Sequence, residues 1–218
     1  MAPDLVVPVD DLAHASRAET QLFDGIRTLD DAAVREPCLL PGWTVGHLLT
    51  HLARNADSHA RRTAAAAEGV VVDQYPGGRA ERAAEIDAGA GRRSAAILED
   101  IAESSARMLE AWAGAPTVAW AGVTRDLSGL ERPLAELPGR RWLEVEVHRV
   151  DLGTGPTYRD WSDAFVAARL APMRVGMGDR LPVGAEAPPA GMLDERDELA
   201  WLYGRLSRAD LPALGPWS

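Results

Sequence analysis

Lysine is absent. All 23 basic residues are arginine, which with the abundant alanine and glycine points to a high-GC genome rather than to a mechanism. Cysteine is almost absent as well: Cys38 stands alone, so no intrachain disulfide can form, and the usage fits a reducing, cytoplasmic setting. Its surroundings, Arg-Glu-Pro-Cys-Leu-Leu-Pro-Gly, place no acid–base partner beside it, so it reads as a buried, inert thiol. No apolar run approaches the roughly 20 residues that cross a bilayer. The N-terminus, Met-Ala-Pro-Asp-Leu-Val-Val-Pro-Val-Asp-Asp, lacks a basic segment followed by an apolar core and does not read as a signal peptide. An excess of positive charge is missing too. At a net −10 the chain cannot neutralise a phosphate backbone, which excludes a general nucleic-acid binder. Short basic pairs remain (Arg61–Arg62, Arg92–Arg93, Arg140–Arg141), and these are available to recognise an anionic small molecule.

What is present is an ordinary globular composition, 46% hydrophobic and 26% charged over 218 residues, enough for one core with an appendage. Apolar residues at Leu12, Ala15, Leu22, Phe23, Ile26 and Leu29 predict an amphipathic helix over 9–29. Pro37 and Pro41-Gly42 interrupt the chain. Thr44 is a suitable N-cap for a second helix with Val45, Leu48, Leu49, Leu52 and Ala56 as its buried stripe and Gly69 as its stop. Residues 70–78 read as a loop close to a site, and 79–113 as a third long helix with a break near Gly89–Gly91. The stretch 114–138 is irregular, with extended pieces, and a fourth helix starts near Gly139. Long helices with connections of mixed length predict a mainly α four-helix bundle over 1–152. Beyond Gly153 lies a small α or α+β appendage over 153–218, with helices near 161–171 and 194–207.

The chemistry is concentrated in Trp-Leu-Glu-Val-Glu-Val-His-Arg-Val (142–150). On a helix, Glu144 and His148 lie one turn apart, about 6 Å along the axis, and can reach one metal ion. The same segment alternates apolar and polar residues. As a strand it would hold the two roughly 13 Å apart, and they could not share an ion. Periodicity leaves both open, as it leaves open a plain Glu144–His148 ion pair and a structural role for His51.

Three segments, in order along the chain, resemble one family. Leu-Pro-Gly-Trp-Thr-Val-Gly-His-Leu-Leu-Thr-His-Leu-Ala-Arg-Asn-Ala-Asp (40–57) is similar to the signature of the mycothiol-dependent maleylpyruvate isomerases, which belong to the DinB-like metal-binding four-helix bundles. Trp142-Leu143-Glu144 with His148 and Val150-Asp151-Leu152-Gly153 resembles that family's second metal motif, and Trp201-Leu202-Tyr203-Gly204-Arg205 its C-terminal segment. The resemblance implies a helical 142–150 and a divalent ion, zinc above others, on His51, Glu144 and His148. It implies that Arg205 recognises a substrate carboxylate. Its C-terminal domain, 153–218, looks shortened relative to the family.

Two histidines and one glutamate leave a coordination position open, the condition for a catalytic zinc. A thiol such as mycothiol there would lose its proton and add to the cis double bond of maleylpyruvate; rotation and elimination would release fumarylpyruvate. A dianionic substrate suits a guanidinium fork. Arg205 is the first candidate, and Arg79, Arg82 and Arg141 follow, with Arg82 and Asn55 as contacts for the thiol cofactor or the metal's surroundings. His47, four residues before His51, could extend a two-histidine face, and Asp151 could be a fourth oxygen donor or a helix-end acid. The expected function is therefore a metal- and thiol-dependent cis–trans isomerase. A thiol S-transferase on the same bundle and a non-catalytic binding bundle are the alternatives. Its partners are a small anionic substrate and a low-molecular-weight thiol, with no nucleic acid and no membrane.

Overall fold

The computed structural model describes residues 7–217, so the first part of the N-terminal segment judged not to be a signal peptide lies outside the described residues. The chain divides into two compact units, Met1–Thr154 and Gly155–Ser218. Among the described residues no helix is long and apolar enough to cross a membrane.

The first unit is built on α1 (Val9–Ile26), α2 (Val45–Ala67), α4 (Ser94–Gly114) and α5 (Leu137–Asp151), with α3 (Gly78–Ala90) lying along α2. Helix α1 packs on α5 and α4, and α2 on α4 and α5, which closes a four-helix ring. Leu22, Ile26, Leu48, Leu49, Leu52, Ile101, Met108 and Val145 fill its core. The first helix stops at Ile26, three residues before the predicted end, because Asp30 Oδ1 accepts from the backbone N–H groups of Ala32 and Ala33 and starts a 3₁₀ turn. The long third helix is two helices, α3 and α4, parted by Gly91–Arg93. Gly46 lets α3 approach closely, since a Cβ there would run into the Ala90 carbonyl. Gly69, at φ +72°, turns the chain out of α2 in the left-handed conformation. The irregular stretch folds into a two-stranded antiparallel hairpin, β1 (Val123–Arg125) and β2 (Glu131–Pro133). The 70–78 loop is tied to it: Arg125 N–H and Thr124 Oγ1 donate to the Val72 carbonyl, and Leu127 N–H donates to Gln74 Oε1.

The segment 142–150 is helical. Its alternation misleads because α5 is buried around most of its circumference, with Arg141, Trp142, Val145, Glu146, Val147 and Arg149 all inside. One buried polar node passes through the four-helix ring. Arg141, fully buried, donates from Nε to Glu19 Oε1 (2.6 Å) and from Nη1 to the Leu52 carbonyl (2.8 Å) and Asn55 Oδ1 (2.9 Å). Ser105 Oγ donates to the second Glu19 oxygen at 2.9 Å. α1, α2, α4 and α5 thus meet at one ion pair.

The C-terminal unit holds α6 (Asp163–Val175), the short α7 (Met177–Arg180) and α8 (Glu195–Leu202), with α6 packed on α8. Trp161, Phe165, Tyr203 and Trp217 form a chain of ring contacts at centroid distances of 5.4, 6.0 and 4.9 Å. No strand occurs among its described residues, so the appendage takes the α form of the two expected and the α+β form is corrected. Its Pro/Gly-rich stretch forms loops around α7 because proline donates no ladder hydrogen bond.

Glu19→Ala leaves the Arg141 charge buried without its partner. Urea denaturation should show a loss of about 3–5 kcal/mol, and the apolar pair Glu19→Leu with Arg141→Met should recover most of it. Equal stability of the wild type and Glu19→Ala would remove the node from this account.

Candidate metal centre

Helices α2 and α5 face each other with polar stripes. On α2 the stripe is His51, Asn55, His59 and Arg62; on α5 it is Arg140, Glu144, His148 and Asp151. At one end three donors converge. His51 is 4% exposed, and its Nε2 lies 3.1 Å from Glu144 Oε2. His148 Nε2 lies 3.3 Å from the same oxygen. The two imidazoles meet edge to face at 5.0 Å, and one ligand atom from each of the three residues lies within 4.8 Å of the others. Bonds of about 2.0–2.1 Å to a tetrahedral zinc put neighbouring donors about 3.3 Å apart, which the two distances to Glu144 Oε2 match.

The surroundings support the fit on one side. His148 Nδ1 pairs with Asp151 Oδ2 at 2.9 Å, and Asp151 is itself buried. Asp151 therefore orients the imidazole and turns its Nε2 toward the centre, so it is neither a direct donor nor a loose helix-end acid. On the other side Arg82 Nη2 reaches His51 Nδ1 at 3.0 Å, with its guanidinium 5.8 Å from the Tyr75 ring centre. A guanidinium only donates, so here Nδ1 accepts and Nε2 carries the proton toward Glu144. A cation on Nε2 needs the other tautomer, and Arg82 must then turn away from the ring.

Electrostatics separate the three groups. Burial lowers His51 to a pKa of about 4 against the pull of Glu144, so its ring is neutral at physiological pH. Burial acts on His148 in the same direction, but its hydrogen bonds to Asp151 and Glu144 outweigh it and hold the pKa above the usual histidine value. Burial would raise Glu144, yet hydrogen bonds from both imidazoles keep it ionised, well below the usual carboxylate range.

The other candidates fall elsewhere. Asn55 is buried and its carbonyl oxygen is taken by Arg141. Arg141, offered above as a substrate arginine, is corrected to a core residue because every approach to it is closed by the bundle. Arg79 is exposed on α3. His47 closes the N-terminal capping box of α2: its Nδ1 accepts from Thr44 N–H at 3.2 Å while its own N–H donates to Thr44 Oγ1 at 3.3 Å. Cys38 is buried, its thiol pushed up by burial, with the Leu40 carbonyl as partner. Arg205 belongs to the C-terminal unit, with its guanidinium bonded to the Tyr203 carbonyl and 5.7 Å from the Trp217 ring centre. Sequence reasoning missed His59 and Arg132 and treated Arg62 as part of a charge pair. The continuation of the His51–Asn55 spacing to residue 59 was the signal that could have found the first.

Residues 15–153, more than half of the chain, match the family described as the mycothiol maleylpyruvate isomerase N-terminal domain. A crystal structure of the mycothiol-dependent maleylpyruvate isomerase resembles this chain with a TM-score of 0.82 at 22% identity. That of a histidine-to-alanine mutant gives 0.83 at 23%. Each likeness covers 97% of this chain and 98% of the other. At those identities the likeness is one of fold. No curated protein matches the chain by sequence.

Equilibrium dialysis against zinc should give one bound ion for the wild type and none for Glu144→Ala, with Asp151→Asn weaker by roughly ten- to hundred-fold. Stoichiometric zinc on Glu144→Ala would contradict the centre. A second expectation concerns acid. Below pH 6.5 an unfolded chain protonates residue 51 while the folded, metal-free protein resists down to about 4. The unfolded state then binds more protons, so His51 costs stability as the pH falls through that window, on the order of 2 kcal/mol by pH 5. Urea midpoints of the metal-free wild type should fall more between pH 7 and 5 than those of His51→Gln.

Proposed function

The chain belongs to the mycothiol maleylpyruvate isomerase family, and on that premise we propose that it is a metal- and thiol-dependent cis–trans isomerase of maleylpyruvate or a related unsaturated diacid. The observation that carries this reading is the convergence of His51, Glu144 and His148 within 4.8 Å, inside the segment that matches the family. When bound, a divalent cation supplies a Lewis acid, and a low-molecular-weight thiol supplies a sulfur that can open and restore a conjugated double bond.

The chain's own residues prepare for that chemistry. Neutral His51 and ionised Glu144 stand ready as donors at neutral pH. His148 is held in register by Asp151 and would hold a cation as the neutral ring. Arg82, which reaches His51 Nδ1, would be a cation beside the centre for an anionic substrate. Cys38 offers no competing nucleophile, since burial keeps its thiol protonated; the sulfur must come from outside. The role of Arg205 toward a carboxylate follows from the resemblance of its segment to the family.

Incubation of zinc-loaded protein with maleylpyruvate and a small amount of mycothiol tests the reading. The expected result is complete isomerisation with the thiol recovered, and a loss of at least about a hundred-fold in His51→Ala. Arg205→Met should raise KM roughly ten-fold with a smaller effect on kcat. Thiol consumed one for one with substrate would make the protein a transferase, and absence of any thiol-dependent conversion would overturn the reading.

A further inference from the structure

Below the three donors the facing stripes of α2 and α5 do not close. They leave a cavity of about 80 Å³ whose walls include Asn55, His59, Arg62, Arg132, Arg140 and Glu144. Its size suits a group such as a carboxylate and not a whole cofactor. Glu144 forms part of its wall, so the cavity opens beside the carboxylate of the candidate metal centre.

The polarity of the walls is unusual for the inside of a bundle. Arg62 is only 3% exposed. Its hydrogen bonds go to its own helix, to the Ser58 carbonyl (3.2 Å) and Ser58 Oγ (3.4 Å), and among the described residues no carboxylate pairs with it. Burial without a counter-ion lowers its pKa to about 10. His59 is 1% exposed and its Nδ1 has no hydrogen-bond partner. The remaining arginines are compensated: Arg132 donates to Asp126 at 2.9 Å, and Arg140 to Glu136 at 3.1 Å. Counting Arg62, Arg132 and Arg140 against Asp126, Glu136 and Glu144, the charges balance, but Asp126, Glu136 and Glu144 are engaged by Arg132, Arg140 and the two imidazoles, which leaves Arg62 without an anion of its own. A buried guanidinium with no anion is costly, and so is an orphaned imidazole nitrogen. An anion with oxygen acceptors in the cavity would remove the cost at Arg62.

The geometry points to this cavity as the carboxylate subsite of the enzyme, with Arg62 as the group that pairs with one carboxylate of a small organic dianion. The assignment rests on the functional reading above for the identity of the anion, though the cavity's chemistry stands on its own residues. It differs from the role given to Arg205, which lies in the other unit of the chain. Held at the Arg62 end, a short unsaturated diacid would have its carbon chain directed past Glu144 toward the cation position.

Maleate, which has no thiol partner and so does not react, serves as the probe, with its binding to the zinc-loaded full chain read by titration calorimetry. The wild type should bind it saturably. Arg62→Gln should weaken binding roughly ten- to hundred-fold at unchanged zinc content, while Arg62→Lys, which keeps the charge and loses the fork, should fall between them. Should Arg62→Gln fail to fold, Arg132→Gln on the cavity's half-exposed wall should weaken maleate in the same sense. Maleate affinity within two-fold of the wild type in the folded variants, or no maleate binding by the wild type, would overturn the assignment. The two readings fail separately. Arg62-dependent maleate binding in a protein that cannot isomerise removes the function and leaves the subsite; isomerisation with Arg62-independent maleate binding does the reverse.

Discussion

The ion pair between Glu19 and Arg141 is the contact on which the geometry of this bundle turns. Apolar packing alone permits helices to slide and rotate by fractions of a turn. A fully buried guanidinium does not, because its donors must find acceptors at fixed places. Arg141 Nε finds its acceptor on α1 at Glu19, and Nη1 finds two on α2 at Leu52 and Asn55. Leu52 directly follows His51, Asn55 comes one turn later, and Arg141 lies three residues before Glu144. Once the node has formed, Glu144 and His148 must face His51. The core polar network and the candidate metal centre are consecutive turns of the same seam.

Along that seam the charge changes character. At the upper end two imidazoles share one carboxylate oxygen, with Asp151 behind one ring and Arg82 behind the other. At the lower end Arg62 lines a small cavity with no carboxylate of its own, since Asp126 there is taken by Arg132 and Glu144 by the imidazoles. A site that holds a cation at one end and lacks an anion at the other suits a ligand carrying its own negative charge. The bundle stabilises this arrangement by burying the apolar residues that flank the stripes, Leu48 and Leu52 on α2 and Val145 and Val147 on α5.

How much of this was visible in the sequence depends on the range of the interaction. Local features were legible: the Thr44 cap, the Gly69 stop and the one-turn spacing of Glu144 and His148 all follow from residues within a turn of each other. Helix α5 was not, since a helix buried nearly all round shows no 3.6-residue pattern, and its chance alternation imitated a strand. Nor could spacing join His51 to Glu144 across 93 residues; that link came only from the resemblance to a family. His47 shows the converse, where a histidine at metal-like spacing is used to cap a helix. Arg62 looked like half of a solvated Arg61–Arg62 pair, because nothing local reveals that one arginine of such a pair turns inward.

The central claim is that His51, Glu144 and His148 hold one cation and leave it a free position for sulfur. X-ray absorption at the zinc edge tests it directly, first on the zinc-loaded protein and then after addition of a low-molecular-weight thiol. The account predicts two imidazoles and light oxygen donors at about 2.0–2.1 Å with no sulfur, then one sulfur at about 2.3 Å once the thiol is present. A sulfur neighbour before thiol is added, a shell without imidazole, or a spectrum that thiol leaves unchanged would contradict it.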